Sequence, residues 1–486
     1  MSVDAQREGS VRGTLRRGSI GVWGMVFMVV AATAPLTAMS SNFSLSLGLG
    51  AGVGTLGWVV ALGLLLLVFT AGYLALARTV VSAGAYQAYV AHGLGAPAGT
   101  AIAFIAWIAY NMACAAMIAA TGFFTDLAMS TYAGVDLPWW MYAALALGVV
   151  GLLGWFGVDM ASRVTTVICV LQFGLLLALA IAVLVQRPGG FGVAAQGFSP
   201  TAMVTGGFAM TIVFVVLSFG SYEAAASYGE EAHAPGRKIT IATCLSLALL
   251  VVVFLVSTWT LIAAFTDVQA EAAADPGALV ITAADRYLGS FAGAVIAVVT
   301  AGSFLAASVA FHNLASRYSF ALGRAGLLHA ALARTHATRA TPHLAVGLQI
   351  ALNVAVLTPF AVAGLDPLSA LFPAVSGVTS LALVTMMTAC SISAVVASVR
   401  GTLAGSVFTT RVCPTVAAVA LVGIGALILG HYEQVTGSAS AVVACMPLLL
   451  VVGAGYGVVM SIRRGNDGQF GVAATSVDDE SPPGRP

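Results

Sequence analysis

Glu223 lies inside a long apolar run, residues 203–230, directly after Ser218, Phe219, Gly220, Ser221 and Tyr222. A carboxylate near the centre of a bilayer costs several kcal/mol, so such a group must face a cavity or a partner. It can hold an amine, carry a proton, or cap the second half of an interrupted helix. Gly220 weakens the helix at the same point. A second interruption falls in the run 20–46, where Ala32, Thr33, Ala34, Pro35, Leu36 and Thr37 place a proline near the middle. Proline has no N–H and its ring clashes with the preceding turn, so the helix must kink or open around residues 31–34.

These residues sit in an unusually apolar chain. Of 486 residues, 60% are hydrophobic and 8% are charged, against about 25% charged in an ordinary soluble domain. So little charge cannot cover the surface of a soluble protein of this length. Disorder is excluded by the same composition. The net charge of +1 gives no basic field for nucleic acid. Six cysteines, none in a CxxC pair, read as buried small hydrophobes. No HExxH or GxSxG motif occurs, and without a Gly-Lys pair there is no phosphate-binding loop of the Walker type. No cofactor is expected.

A helical span needs about 20 mostly apolar residues. Twelve segments qualify: 20–46, 53–77, 98–128, 138–157, 164–186, 203–230, 239–265, 290–322, 344–363, 368–398, 412–430 and 439–462. Residues 1–18 form a polar tail with four arginines, and the apolar run after it is too long, too interrupted and followed by too many spans to read as a signal peptide. Residues 463–486 read as a disordered tail. With the N-terminus in the cytoplasm, 17 of the 19 basic residues fall on the inner side, Arg187 and Arg286 being the exceptions. That asymmetry is what the positive-inside rule requires of twelve spans with both ends in the cytoplasm of a cell membrane.

Interrupted helices occur in a membrane only where they line a cavity. Spans 1 and 6 are five spans apart and run in opposite directions, as an inverted repeat demands. Free N–H groups at a half-helix N-terminus suit a carboxylate, and carbonyls at the opposed half-helix C-terminus suit an ammonium. Together they suit a zwitterion.

Four stretches resemble the amino acid–polyamine–organocation (APC) permease superfamily. They are Phe219-Gly220-Ser221-Tyr222-Glu223 with Gly229-Glu230-Glu231 and Pro235-Gly236-Arg237-Lys238-Ile239; Ala83-Gly84-Ala85-Tyr86 through Gly93-Leu94-Gly95; Asn313, Arg317, Ala321-Leu322-Gly323-Arg324-Ala325-Gly326 and Thr341-Pro342; and Gly157-Val158 with Ser162-Arg163-Val164. The resemblance covers about residues 20 to 400. It implies an all-α integral membrane fold of twelve helices: a five-plus-five inverted repeat over 19–398 with helices 1 and 6 broken, and two further spans over 399–462. It implies a secondary carrier of amino acids or related amines that works by alternating access, with substrate contacts at Ala32, Thr33, Ala34, Pro35, Leu36 and Thr37 and at Ser218, Phe219, Gly220, Ser221, Tyr222 and Glu223. Phe219 and Tyr222 would close over the ligand. A polyamine carrier, or a sensor or assembly partner that keeps the fold without transporting, is the alternative, because fold does not fix function.

Further polar residues occupy the apolar runs. Tyr110 and Asn111 in span 3 read either as substrate contacts or as helix–helix hydrogen bonds. Ser303 and Ser308 in span 8 read either as facing span 1 or as small residues of a helix–helix interface. Proton-coupled members of the superfamily carry a lysine in span 5 where this chain has Gln172, which departs from that coupling scheme and leaves uniport, exchange, proton coupling through another group, or sodium coupling open. Glu223 is one candidate. His312 is the other, read alternatively as a core histidine whose hydrogen bonds are met. Glu230 and Glu231 read as braces to basic residues of the inner loops.

Overall fold

The computed structural model describes residues 22, 26, 33–80, 85–156, 161–187, 189–220, 235–336 and 341–464. Among these, ten helices are long and apolar enough to cross a membrane. In chain order the helices used below are α1 (Pro35–Ala38), α2 (Ser44–Gly48), α3 (Thr55–Thr79), α4 (Ala85–Leu94), α5 (Ala96–Ala133), α6 (Trp139–Phe156), α7 (Ala161–Gln186) and α8 (Phe208–Ser218). They continue with α9 (Pro235–Ala264), α10 (Val268–Ala274), α11 (Leu279–Leu288), α12 (Ser290–Arg324), α13 (His343–Val362), α14 (Phe372–Val399), α15 (Cys413–Gly430) and α16 (Leu448–Arg463).

Ten of the twelve expected spans coincide, to within a turn or so, with these long helices: α3, α5, α6, α7, α9 and α12 to α16. The other two, 20–46 and 203–230, contain no long helix among the described residues. They are the two that Pro35 and Gly220 mark as interrupted. Helix α8 is 11 residues long, about 17 Å at 1.5 Å per residue, or half the hydrocarbon thickness.

The long helices are apolar all round, as buried or lipid-facing helices are. Their outward faces carry large aliphatic side chains, such as Leu145 at 68% exposure, Leu177 at 61% and Val419 at 70%. Contiguous apolar surface of that extent marks contact with lipid rather than water. Inside, close helix approach is set by small residues. A Cβ added to Gly122 of α5 would lie 2.6 Å from the Trp139 carbonyl oxygen at the start of α6. One added to Gly457 of α16 would lie 2.9 Å from the Thr100 carbonyl oxygen of α5. Helix α5 packs on α12 along most of its length; Phe124 and Phe304 stack there at 5.0 Å and 10°.

The two ends of the bundle differ in charge. At one, Arg187 donates to the Ala264 carbonyl at 3.0 Å and to Thr266 at 3.1 Å, while Arg286 lies over Phe265 and 3.9 Å from Glu271. The two arginines that fall outside the basic tally therefore share one end with Asp267, Glu271 and Asp285. At the other end Arg78 donates to Thr240, Arg400 to the Gly93 carbonyl and Arg464 to the Ala325 carbonyl.

Candidate functional site

Ala34 is the joint of the first interruption. Its backbone is left-handed, at φ +44° and ψ +71°, and it is the only non-glycine residue with positive φ among the described residues. That conformation costs roughly 1–2 kcal/mol for a residue with a Cβ. Pro35 then opens a new helix at its first position, where its missing N–H is no loss. Helix α1 runs into a π-helical turn, Met39–Phe43, and on into α2.

The N–H groups at this half-helix N-terminus are already engaged. Leu36 donates its N–H to the side-chain oxygen of Gln172, in the middle of α7, at 3.0 Å. Thr37 and Ala38 donate theirs to the Ala34 carbonyl at 3.0 and 3.2 Å. The expectation of free N–H groups at a half-helix N-terminus is not met at this one: with proline first, only Leu36 lacks an intrahelical partner, and a neighbouring helix supplies one. The Gln172 amide nitrogen donates in turn to Ser303 Oγ of α12 at 2.9 Å. Gln172 and Ser303 are both buried, so one neutral side chain ties the break to two long helices.

The second interruption begins at Ser218. Helix α8 ends there and turns through Phe219 and Gly220, with Phe219 N–H bonded to Val216 and Gly220 N–H to Leu217. The two interrupted segments are joined by a side chain that sequence reasoning missed. Asn42, in the π-helical turn, donates to Ser218 Oγ at 2.9 Å, and Ser218 Oγ donates to the Phe214 carbonyl. The Asn42 side-chain oxygen and the Ser40 hydroxyl are buried beside this junction without a hydrogen-bond partner. The signal was available: Ser40-Ser41-Asn42 is a polar triplet inside an apolar run.

Phe219 is buried and set edge-on to Phe254 of α9 at 5.3 Å, and Phe254 in turn meets Phe43 at 4.9 Å. This aromatic trio pins the end of α8 to both α9 and the π-helical turn. Ala32, Ser221, Tyr222 and Glu223 lie outside the described residues, as do Glu230 and Glu231.

The remaining expected residues sit along the α5–α12 contact. The Tyr110 ring lies 5.2 Å from Tyr318 and 6.4 Å from Phe311. Asn111 donates to the Trp107 carbonyl of its own helix, so it makes no interhelical bond through that group. Ser303 reaches the break only through Gln172, whose amide nitrogen donates to it. Ser308 does not: its hydroxyl lies 3.4 Å from Thr121 of α5, and its carbonyl accepts from the Cys114 thiol. Five residues turn an α-helix by about 140°, which carries Ser308 away from the face that holds Ser303. His312 is fully buried and neither ring nitrogen has a hydrogen-bond partner. It is not the satisfied core histidine of the alternative reading.

A lipid-facing bundle in which one helix starts at Pro35 and another stops at Ser218, part-way along their apolar runs and tied together by buried polar side chains, is the architecture of a solute transporter. The amino acid permease family model matches residues 20–461, and the chain belongs to that family. It is a multi-pass membrane transporter and not an enzyme. The fold is similar to that of MhsT in complex with L-phenylalanine, at 15% identity over 85% of this chain and 99% of that one, with a TM-score of 0.60. It is also similar to the Eremococcus coleocola manganese transporter in complex with an aromatic bis-isothiourea substituted compound, at 14% identity over 94% of this chain and 99% of that one, with a TM-score of 0.53. No curated protein sequence matches the chain.

Proposed function

We propose that this permease is a secondary carrier for an amino acid or a related amine and that its substrate binds between the interruptions at Ala34 and after Ser218. Ten long helices and two interrupted spans make twelve, in a five-plus-five inverted repeat over 19–398 followed by two spans over 399–462. Both tails lie in the cytoplasm of a cell membrane, a reading supported by the basic tally and by the grouping of Arg187 and Arg286 at one end. The observation that carries the proposal is the hydrogen bond from Asn42 to Ser218. It ties the C-terminal turn of α8 to the body of the half-helix that starts seven residues earlier at Pro35, and the two half-helix ends carry opposite partial charges. The L-phenylalanine held by MhsT supports a zwitterionic ligand for this arrangement.

Glu223 and the hydroxyls of Ser221 and Tyr222 follow directly on Gly220 and face the substrate amine in this reading. The substrate carboxylate takes the α1 terminus when Gln172 gives up the Leu36 N–H. Purified protein in proteoliposomes, tested with labelled amino acids and amines, should accumulate or exchange at least one of them. Glu223→Gln should reduce that flux strongly while the protein still inserts. Binding without flux of any such solute would favour the non-transporting alternative.

A further inference from the structure

The group of buried polar side chains around His312 has no part in the site just described. On α12, Ser308, His312 and Ser316 share one face at four-residue spacing and are buried. On α13, Gln349 and Asn353 share a face, both buried, with the Asn353 amide nitrogen donating to the Gln349 carbonyl at 2.7 Å. The Cys114 thiol of α5 bridges the two helices, 3.7 Å from the Ser308 carbonyl and 3.6 Å from the Asn353 amide nitrogen. The imidazole lies against α6. A Cβ added to Gly154 would be 2.8 Å from His312 Nε2 and 3.5 Å from Val346 of α13.

Seven polar atoms of this group make no hydrogen bond: both nitrogens of His312, the oxygen and nitrogen of Gln349, and the side-chain oxygens of Asn353, Ser316 and, on α5, Asn111. Native interiors leave few such atoms, and a cluster of them calls for an explanation. Four of the seven are oxygens, which accept. An imidazolium donates from both nitrogens and accepts from none. A protonated His312 is therefore the species with the most to gain from Gln349, Asn353 and Ser316, once small side-chain rotations aim those oxygens at it.

We propose that His312 is a proton-binding site, filled when α6 and α13 draw apart from α12 and emptied when they close. In the closed packing the ring lies against the Gly154 backbone of α6 with Val346 of α13 beside it, and a charge buried there without a counter-ion is costly. In an opened packing water reaches the ring, a proton adds to one nitrogen, and the amide oxygens take the two N–H bonds. The other titratable or charged groups on these four helices are few. They are Cys114, Tyr110, Asp126 and Tyr132 on α5, Tyr142 on α6, Arg317, Tyr318 and Arg324 on α12, and His343 on α13. Asp126 is the only carboxylate among them and sits three turns beyond Cys114, toward the far end of α5. Among the described residues of these helices no anion lies beside the ring to hold the proton in the closed form, and its release is coupled to closure. As a statement about coupling this rests on the transport reading; as a statement about protonation it stands alone.

Two measurements separate those parts. In the first, a variant retaining Cys114 as its one cysteine is treated in detergent with dithiodipyridine, a thiol reagent active in acid. Labelling should rise roughly tenfold per pH unit of acidification while the protonated form is a minor species. In His312→Gln it should stay low and flat. Gly154→Ala, which keeps the histidine but crowds it, should label faster at neutral pH. Labelling with no pH dependence in the parent, or the same dependence in a His312→Gln protein that elutes and melts as a folded monodisperse species, overturns the site. In the second, proteoliposomes carrying an internal pH dye give the protons moved per substrate moved. That ratio should fall to near zero in His312→Gln. An unchanged ratio overturns the coupling. A parent that moves no solute counts against the carrier reading, and the labelling result still decides the proton site.

Discussion

The side-chain oxygen of Gln172 accepts the Leu36 N–H at 3.0 Å across 136 residues of sequence. It does for the interrupted helix what an N-cap residue does for an ordinary one. Its amide nitrogen holds Ser303 at the same time, so the position of the break is referred to both α7 and α12. A neutral amide here binds no proton, and it fixes α1 by hydrogen bonds alone.

Gln172→Leu should therefore lower stability in detergent, because it leaves the Leu36 N–H buried without an acceptor. The cost is about 1–3 kcal/mol. Gln172→Glu, when ionised, gives up the donor to Ser303 and buries a charge, so it should melt no higher than the leucine variant. Thermal melting of the three proteins is the check, and a leucine variant that melts with the parent would show that the bridge carries no stability.

Ala34 gives a prediction whose sign separates a break from a kink. In a continuous helix, Ala34→Gly would destabilise by about 1 kcal/mol. At φ +44° the same change removes the Cβ penalty and should raise the melting temperature or leave it unchanged. Ala34→Val should be clearly worse than either, since a β-branched side chain is a strong outlier at positive φ. A glycine variant that loses stability would return span 1 to an ordinary proline kink.

Asn42 and Ser218 are the direct contact between the two interruptions. Asn42→Ala and Ser218→Ala should each slow substrate turnover. Their combination should cost less than the two losses added, with a coupling of about 0.5–1.5 kcal/mol. Strict additivity in melting and in turnover would mean that the two segments move independently.

Much of this was legible in the chain, and the missing parts have physical reasons. Ten spans follow from apolar run lengths, since a bilayer sets helix length directly. Pro35 and Gly220 mark where the other two fail, because each weakens a helix by its own covalent structure. Which residue takes the strained backbone is less readable: Pro35 steers Ala34 away from the right-handed helical region, but that favours extended backbone, and the left-handed one is set by the packing around the break. Long-range partners are not written locally. Gln172 could be seen as an oddity in span 5, yet its bond to Leu36 depends on how α7 crosses α1. Ser308 shows the limit of position without rotation, since its depth does not say which face it takes. Asn42 is readable in principle as a polar residue within an apolar run, but its partner Ser218, 176 residues away, is not written near it.

The grouping of charges at the two ends gives the orientation a test of its own. Glu271, on α10, is about half exposed and pairs with Arg286 at the end that holds both outlying arginines. Arg334, in the segment after α12, is exposed and belongs to the stretch that follows Arg324. Cys445 is the one exposed cysteine of the six, so the test begins from Cys445→Ser. In that background, Glu271→Cys and Arg334→Cys are labelled with a membrane-impermeant maleimide on intact cells and then on opened membranes. With both tails in the cytoplasm, Glu271→Cys should react in intact cells and Arg334→Cys only after opening. The positive-inside rule predicts that order from charge alone, and the surface ion pair at Glu271 is too weak to protect the site once broken. The reverse order would invert every span, and would place the basic end of the bundle outside.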